Sequence, residues 1–294
     1  MFRKVLKYDM ASIKRYWWLI AAAVLGISVV GSLVFRGVYL YFENVQNSPG
    51  QAEDVFLSLA MMAGMIFLFV CVMAVFSSAF VTPVMTHLRY YRNFFTDEGY
   101  LTFTLPVSRK TLYLSKTVNS LLWTVAHALL LVVAVSITIT LAPPAENGHV
   151  LNFVVWQGLG DALSAAWNAV GAWMLVYILE GILLLICSSA MSIGLIQLCI
   201  TIGAVIAKKH KLLAAIGIYY AVNMATSTLY QIVFGCGSAF LVSSLAELLR
   251  GCTASEQNAA ISLILLALIL AVAALAMVVH FIALGLVERR LNLA

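Results

Sequence analysis

Long apolar segments alternate with short polar segments along almost the whole chain. Within them the hydrophobic residues continue without the period-two alternation of a half-buried strand or the narrow stripe of a surface helix. A helix needs roughly 20 predominantly apolar residues to cross the hydrocarbon of a bilayer. The segments that meet this length are 17–41, 55–81, 117–141, 166–207, 212–234 and 259–286. We therefore predict an all-α polytopic membrane protein with six transmembrane helices in a single domain, 1–294.

The residues before the first apolar segment carry apolar and basic side chains on different sides of a helical wheel. Phe2, Leu6 and Ile13 recur at helical spacing, and the basic residues fall mostly elsewhere. This pattern predicts an amphipathic helix, 1–16, lying on the inner membrane surface. A signal peptide has a similar general form, but the segment 17–41 is too long for its hydrophobic region and lacks a convincing cleavage site.

The outer segments hold several special features. Turn residues at 143–148 predict that the third span stops at 141 and that a loop runs to about 165. The segment 166–207 is compatible with one continuous helix about twice as long as a bilayer needs. Its outer half should project or tilt, which places Glu180 near the headgroups. An intramembrane carboxylate is also a candidate functional group, and the sequence leaves the role of Glu180 open.

The triplet Gly235-Cys236-Gly237 predicts a break after the fifth span. The following segment, 238–250, is apolar but too short to cross, so we predict a re-entrant or interfacial helix before the sixth span. Cys236 and Cys252 flank this segment, and whether they are bonded stays open because sequence cannot show that two sulfurs meet.

Composition agrees with the segment pattern, since 63% of the residues are hydrophobic and 10% are charged. The formal net charge of +5 does not indicate nucleic-acid binding, because the basic residues lie in short groups at the ends of apolar segments. If both termini are in the cytoplasm, every Lys and Arg except Arg36 and Arg250 falls in a cytoplasmic segment. Basic residues are concentrated on the cytoplasmic side of membrane proteins, so we predict this topology. We expect a multi-pass protein of the cell (plasma) membrane, of bacterial type.

Motifs for catalysis are missing from the sequence. There is no HExxH, GxSxG or GxxxxGK[ST], and the five cysteines show no metal-ligand spacing. His127 and His280 lie in apolar segments without an acidic partner at helical spacing, which favours packed or hydrogen-bonded core histidines. We expect no catalytic residue, no metal site and no cofactor bound by this chain. A membrane-embedded enzyme using His127, Glu180 or His280, or a sensor or anchor without transport, remains the alternative.

One polar stretch, 82–116, is much longer than a connector requires. Leu101, Phe103 and Leu105 predict a short helix with an apolar face that can enter a groove on a partner. Gly99 permits a sharp change of direction, and Pro106 ends the short helix. Ser108 can cap the next helix, which would fix the stretch to the third span. The alternative is a solvated loop with aromatic side chains at the membrane surface.

The order of residues in this stretch resembles the loop between the second and third spans of type-2 permeases of ATP-binding cassette (ABC) transporters. The matching pattern is an acidic residue, Gly, a hydrophobic helix, Leu-Pro, a small hydroxyl residue, Arg and a later Lys, here Lys116. The amphipathic amino-terminal helix, the six spans and the re-entrant segment match as well. The resemblance implies an ATPase-coupling role for Asp97, Glu98, Gly99, Leu101, Phe103, Leu105, Pro106, Ser108 and Arg109.

The resemblance also implies the partners and the activity. The short helix would dock on a separate ABC ATPase subunit, present in two copies, which binds ATP and Mg²⁺. The membrane chain would pair with a second permease copy or a paralogue and extrude an amphiphile such as a lipid, peptide or antibiotic.

Polar side chains inside the spans are candidates for lining a pathway. On the fifth span they recur at three- and four-residue intervals, and on the third span they do so in part; these residues are Asn223, Thr226, Ser227, Tyr230 and Gln231, and Asn119, Thr124 and His127. Interhelical hydrogen bonding explains such faces equally well. The sequence leaves both interpretations open.

Overall fold

The computed structural model describes residues 1–46, 55–104, 106–142, 151–207, 209–248 and 250–289, without the side chains of 229, 230, 232–246 and 248 and of a few residues beside the first gap. Every regular element in these ranges is a helix, which confirms the all-α class. In chain order the helices are α1 (Phe2–Gln46), α2 (Val55–Phe95), α3 (Asp97–Phe103), α4 (Arg109–Leu141), α5 (Val154–Val170), α6 (Trp173–Ile206), α7 (Lys211–Leu248) and α8 (Ala254–Arg289).

Several helices are long and apolar enough to cross a membrane. By length and composition the described residues contain five such helices: Phe2–Tyr41, Ser58–Phe95, Arg109–Leu141, Trp173–Ile206 and Ala254–Arg289. Large apolar side chains on them point away from the protein, as Phe80, Leu185 and Phe281 do with 75%, 68% and 73% of their surface exposed. Surfaces of this kind are stable in lipid and not in water. The chain is therefore a multi-pass helical membrane protein.

The chain divides into two compact units. The first unit comprises Met1–Leu6, His87–Leu121 and Ala166–Ala294, and the second comprises Lys7–Thr86 and Leu122–Ala165. The core of the first unit is rich in aromatic side chains and includes Tyr90, Phe94, Leu112, Tyr113 and Val287. The core of the second consists of smaller side chains, namely Ala21, Val24, Val75, Leu130 and Ala134.

Within the first unit α6 and α8 run side by side in the same direction. Tyr177 near the start of α6 donates to Asn258 near the start of α8. Further along, Gly194 of α6 lies against His280 of α8. The helix between them, α7, packs against the end of α6 at Gly203, where the two backbones come very close.

Two predicted boundaries in the first half of the chain are wrong. No break separates 1–16 from 17–41, because α1 is one continuous helix. The second helix does not end at 81, since α2 continues through Pro83 to Phe95. The last turns of α2 carry aromatic side chains that are buried in the protein core. Packing of this kind stabilises a helix outside the lipid. Much of the polar stretch 82–116 is therefore helical.

The predicted outer loop to 165 and the continuous helix 166–207 are also wrong. Helix α5 occupies Val154–Val170, and the chain then turns at Gly171 before α6 begins. Gly171 has φ +61°, the left-handed conformation that commonly ends a helix at glycine. The helix that we expected to project from the membrane is thus two helices joined by a glycine turn.

The predicted break at Gly235-Cys236-Gly237 is wrong as well. Helix α7 runs without interruption from Lys211 to Leu248, so 238–248 is its final part and not a separate re-entrant helix. A glycine costs a helix only about 1 kcal/mol relative to alanine, whereas unsatisfied backbone groups in a membrane cost several. The side chain of Cys236 lies outside the described residues, so pairing with Cys252 stays a hypothesis.

Candidate functional site

The expected short helix is present between α2 and α4. Helix α3 has seven residues and follows a bend at Thr96, whose backbone is extended at φ −117° and ψ −175°. Ser108 caps α4 as expected, because its Oγ accepts from the Thr111 amide (3.3 Å) and its carbonyl accepts from the Leu112 amide (3.1 Å). Leu105 lies outside the described residues. Local signals in the sequence therefore located this helix and its neighbour's start.

Gly99 has a different role from the one expected. It is buried inside α3, and its backbone has no positive φ. The change of direction takes place at Thr96. A Cβ atom at position 99 would lie 3.0 Å from the carbonyl oxygen of Phe94. Glycine is needed here because α3 approaches the backbone at the end of α2 very closely.

The inner face of α3 is fixed by aromatic and cationic contacts. The Phe103 ring packs edge-to-face against Phe94, with centroids 5.5 Å apart. The Arg109 guanidinium lies 5.3 Å from the centroid of the Phe103 ring, a cation–π distance. Arg109 also donates to the carbonyl oxygens of Glu288 (2.8 Å) and Val287 (3.4 Å). These contacts connect α3 with the ends of α2, α4 and α8.

The outer face of α3 consists of Tyr100 and Leu101, which are 67% and 69% exposed. Leu101 and Phe103 lie about 200° apart on a helix, so they cannot share a face. The apolar face predicted from Leu101, Phe103 and Leu105 is therefore wrong in its register. A helical wheel of 97–103 would have found the correct division, with Gly99 and Phe103 on one side and Tyr100 and Leu101 on the other.

Glu98 is engaged within the chain. Its carboxylate forms an ion pair with Arg92 at 2.7 Å. In the amide orientation that satisfies its neighbours, Asn93 donates to Glu98 (3.2 Å) and accepts from Lys116 (2.6 Å). Because the Arg92 and Glu98 side chains are 65% and 50% exposed, their pair contributes only about 0–1 kcal/mol. Its main effect is to orient α3 on the end of α2.

Among the remaining residues of this stretch, Asp97 lies in the first turn of α3, where a negative charge is favourable. Pro106 is exposed and lies between α3 and α4. Helix α3 itself ends before it, with Thr104 as its C-cap and the Thr104 amide bonded to the Tyr100 carbonyl. Pro106 therefore lies beyond the C-cap of α3, and the helix has already ended before it.

The polar residues proposed on α7 bond to their own helix. The Thr226 hydroxyl donates to the Val222 carbonyl (2.8 Å), and the Ser227 hydroxyl donates to the Met224 carbonyl (3.0 Å). Asn223 and Gln231 are exposed, and the side chain of Tyr230 lies outside the described residues. In the part of the chain that is described, this face makes no hydrogen bond to another helix.

The polar residues proposed on α4 are placed differently. His127 is buried, and its two ring nitrogens lie 3.1 Å from Ser78 Oγ and 3.0 Å from Thr82 Oγ1 of α2. Asn119 is buried, and its Oδ1 has no partner among the described residues. Thr124 is half-buried. At His127 the interhelical hydrogen-bond interpretation is the correct one.

The groups considered for catalysis each have structural partners. His280 contacts the Tyr113 hydroxyl through Nδ1 (2.7 Å) and the Ala190 carbonyl through Nε2 (3.1 Å). Glu180 is buried against α8 and accepts from the Ser262 hydroxyl. The described residues contain no group of three or more His, Cys, Asp or Glu that could hold a metal. Both histidines are thus hydrogen-bonded, as expected.

No family model matches this chain, and comparison with curated proteins and with solved structures found no similar protein. The resemblance to type-2 permeases therefore depends on the residues of this sequence alone.

Proposed function

We propose that this chain is the permease subunit of an ATP-driven ABC exporter and that α3 docks on a separate ATPase subunit. The observation that carries the proposal is the division of α3 into a fixed inner face and an exposed outer face. Phe103 and Gly99 pack inward, whereas Tyr100 and Leu101 leave about two-thirds of their surface exposed. Tyrosine is enriched at the centres of protein–protein contacts, and the exposed Leu101 beside it adds apolar surface.

The contacts behind α3 suit it to transmit force. Phe103 packs on Phe94 of α2, and Arg109 connects α3 with α4 and with the end of α8. A displacement of α3 therefore acts at once on the ends of three long helices, and these ends all lie in the first unit. Nucleotide-driven movement of a docked ATPase would use this connection to move the membrane helices.

Six crossings with both termini in the cytoplasm remain our proposed topology. The parallel arrangement of α6 and α8 supports this topology. A chain that crosses the membrane twice in the same direction must return between the two crossings. Helix α7, which connects the end of α6 with the start of α8, is that return. Basic side chains near one end of the first unit support the orientation. Lys211 lies 3.5 Å from the Phe95 carbonyl, and Lys110 and Arg289 border one pocket. The positive-inside rule assigns that end to the cytoplasm.

We further propose that a second permease copy or a paralogue completes the pathway and that two ATPase subunits bind the pair. The exposed polar face of α7, with Asn223, Thr226, Ser227 and Gln231, is then available to line a route for an amphiphile such as a lipid, peptide or antibiotic. The alternative of a membrane-embedded enzyme gains no support, since His127 and His280 are used in hydrogen bonds between helices.

The test introduces Leu101→Asp into the tagged protein in its native membrane. An unpaired charge buried in a contact costs several kcal/mol, so the variant should insert normally, lose the co-purified ABC ATPase and lose stimulated ATP hydrolysis. Lys110→Gln is the matched control, because it changes the charge by the same amount at an exposed site outside α3. Glu98→Ala removes an exposed ion pair and the Asn93 hydrogen bond within the chain and should be milder.

Two outcomes contradict the proposal. Full retention of ATPase and of stimulated hydrolysis by Leu101→Asp would show that α3 is not the coupling element. Purification of the unaltered chain without any ATP-hydrolysing subunit, under conditions that preserve membrane complexes, would remove the transporter assignment itself.

A further inference from the structure

An apolar groove separates α5 from α4 in the second unit. It encloses about 650 Å³, which is within the range of small-molecule sites. One wall is formed by α4 from Leu131 to Ile139, the other by the start of α5 from Val155 to Ala162, and Phe76 of α2 contributes as well. Nothing in the groove belongs to α3 or to the polar face of α7.

Helix α5 is amphipathic, and its apolar side faces this groove. On a helical wheel Val155, Leu159 and Ala162 fall on one side, whereas Gln157 and Asp161 fall on the other. All residues of α5 are described, and none is buried. Its apolar side is therefore left uncovered by the chain itself.

Hydrogen bonds hold α5 in place over α4. The Asn152 amide donates to the Thr140 carbonyl (3.0 Å), and Asn152 Oδ1 accepts from the Val154 amide at the start of α5 (2.9 Å). The Trp156 indole donates to Thr140 Oγ1 (2.9 Å). The start of α5 is thus bonded twice to the last turn of α4. These bonds fix the start of one wall of the groove against the end of the other.

The lining excludes polar ligands. Among the described residues of the α4 wall, Ser136 has the only polar side chain, and its hydroxyl already donates to the Val132 carbonyl (2.7 Å). The indole of Trp156 is also engaged. None of the described residues that line the groove is charged. A polar group placed there would lose its water without gaining a partner, so the groove fits a hydrocarbon chain.

The dimensions match one leaflet of a bilayer. From Leu131 to Leu141, where α4 ends, the helix rises about 15 Å, which is half of the roughly 30 Å hydrocarbon thickness. Trp156 and Trp167 both lie on one border of the apolar side of α5, and tryptophan favours the boundary between hydrocarbon and headgroups. The polar side of α5, with Gln157 and Asp161, would then face the headgroups and water.

We propose that this groove binds one acyl chain of a membrane phospholipid, with α5 lying along the headgroup boundary above it. Because lipid tails surround the whole protein, the site holds its chain by close packing and not by the hydrophobic effect. The proposal needs only a protein in a membrane, so it stands or falls independently of the exporter function.

The experiment uses the full-length protein in vesicles of phosphatidylethanolamine and phosphatidylglycerol that contain a phosphatidylcholine with a diazirine in its acyl chain. After illumination, peptide mass spectrometry should find several-fold more adducts on 131–139 and 155–162 than on lipid-facing positions of α8 such as Leu263. Ala162→Trp fills the groove and should reduce those adducts several-fold. Ser164→Trp places the same side chain on the opposite side of α5, about 200° from Ala162 on the helical wheel, and should leave the adducts unchanged.

Adducts in the groove at the same level as on α8, or adducts that persist undiminished in Ala162→Trp, would overturn the proposal. A crosslink from α5 to a second copy of the chain in place of lipid would overturn it too, because a protein partner would then cover the groove.

Discussion

The contact between α6 and α7 makes a sharp prediction for Gly203. An ideal Cβ atom at this position would lie 2.5 Å from the Ala215 nitrogen and 2.7 Å from its Cα. Non-bonded carbon atoms prefer separations of about 3.5–4.0 Å. These neighbours are backbone atoms of α7, which no rotamer change can move. Alanine at position 203 therefore requires the two helices to separate by about 1 Å.

The expected loss of stability follows from two opposing terms. Overpacking of a close contact typically costs about 1–3 kcal/mol, and here the strain falls on backbone. Alanine recovers up to about 1 kcal/mol through its higher helix propensity. The Tyr90–Thr201 hydrogen bond (2.9 Å) lies within one turn of Gly203 and should weaken as the helices separate. We expect Gly203→Ala to lower the free energy of unfolding by about 1–2 kcal/mol.

Thermal unfolding of the detergent-solubilised protein measures this effect. Gly181→Ala is the matched control, because Gly181 lies in the same helix and no described atom comes within 4 Å of its added Cβ. The control should unfold at the original temperature or slightly above it. If Gly203→Ala unfolds at or above the temperature of Gly181→Ala, the close approach of α6 and α7 is incorrect.

Other predictions address a buried carboxylate, a hydrogen bond and the topology. Ser262→Ala should cost about 1–3 kcal/mol, because Glu180, only 7% exposed, loses its hydroxyl donor; Ser262→Thr should restore the melting temperature. Tyr90→Phe should cost about 0.5–1.5 kcal/mol in the same assay, and an unchanged melting temperature would contradict the Thr201 contact. In a cysteine-free background, Ser255→Cys should react with an impermeant thiol reagent on intact cells and Thr96→Cys only after permeabilisation; the reverse pattern would refute the topology.

The sequence predicted the existence of the long helices because membrane helices need apolar residues in long uninterrupted segments, and this signal is direct. It failed at boundaries where protein packing replaces lipid. Tyr90 and Phe94 extend α2 because they are buried among other helices, and no sequence pattern separates burial in protein from burial in lipid. Helix α5 was missed although its apolar residues recur at helical spacing, because the turn residues at 143–148 suggested a loop.

At the candidate site, local signals were sufficient for the existence of α3 and for the cap at Ser108, both of which depend on neighbouring residues. The role of Gly99 could not be predicted in this way, because the atom that excludes a side chain there belongs to Phe94 and its position depends on how α3 folds back. The register of the face failed for a simpler reason. Alternate residues were grouped as on a strand, whereas the helix separates Leu101 from Phe103.

Because α3 is short, one of its faces is needed to hold it on the protein and the other is free for a partner. An isolated helix shorter than about 12–15 residues is marginal in water, so the seven residues of α3 depend on contacts with the rest of the protein. Those contacts are made by Gly99, Phe103 and the Glu98 ion pair. Tyr100 and Leu101 contribute little to them and so are not needed for folding. The proposed partner, and not the stability of α3, accounts for two large apolar side chains at these exposed positions, which is why Leu101→Asp separates docking from folding.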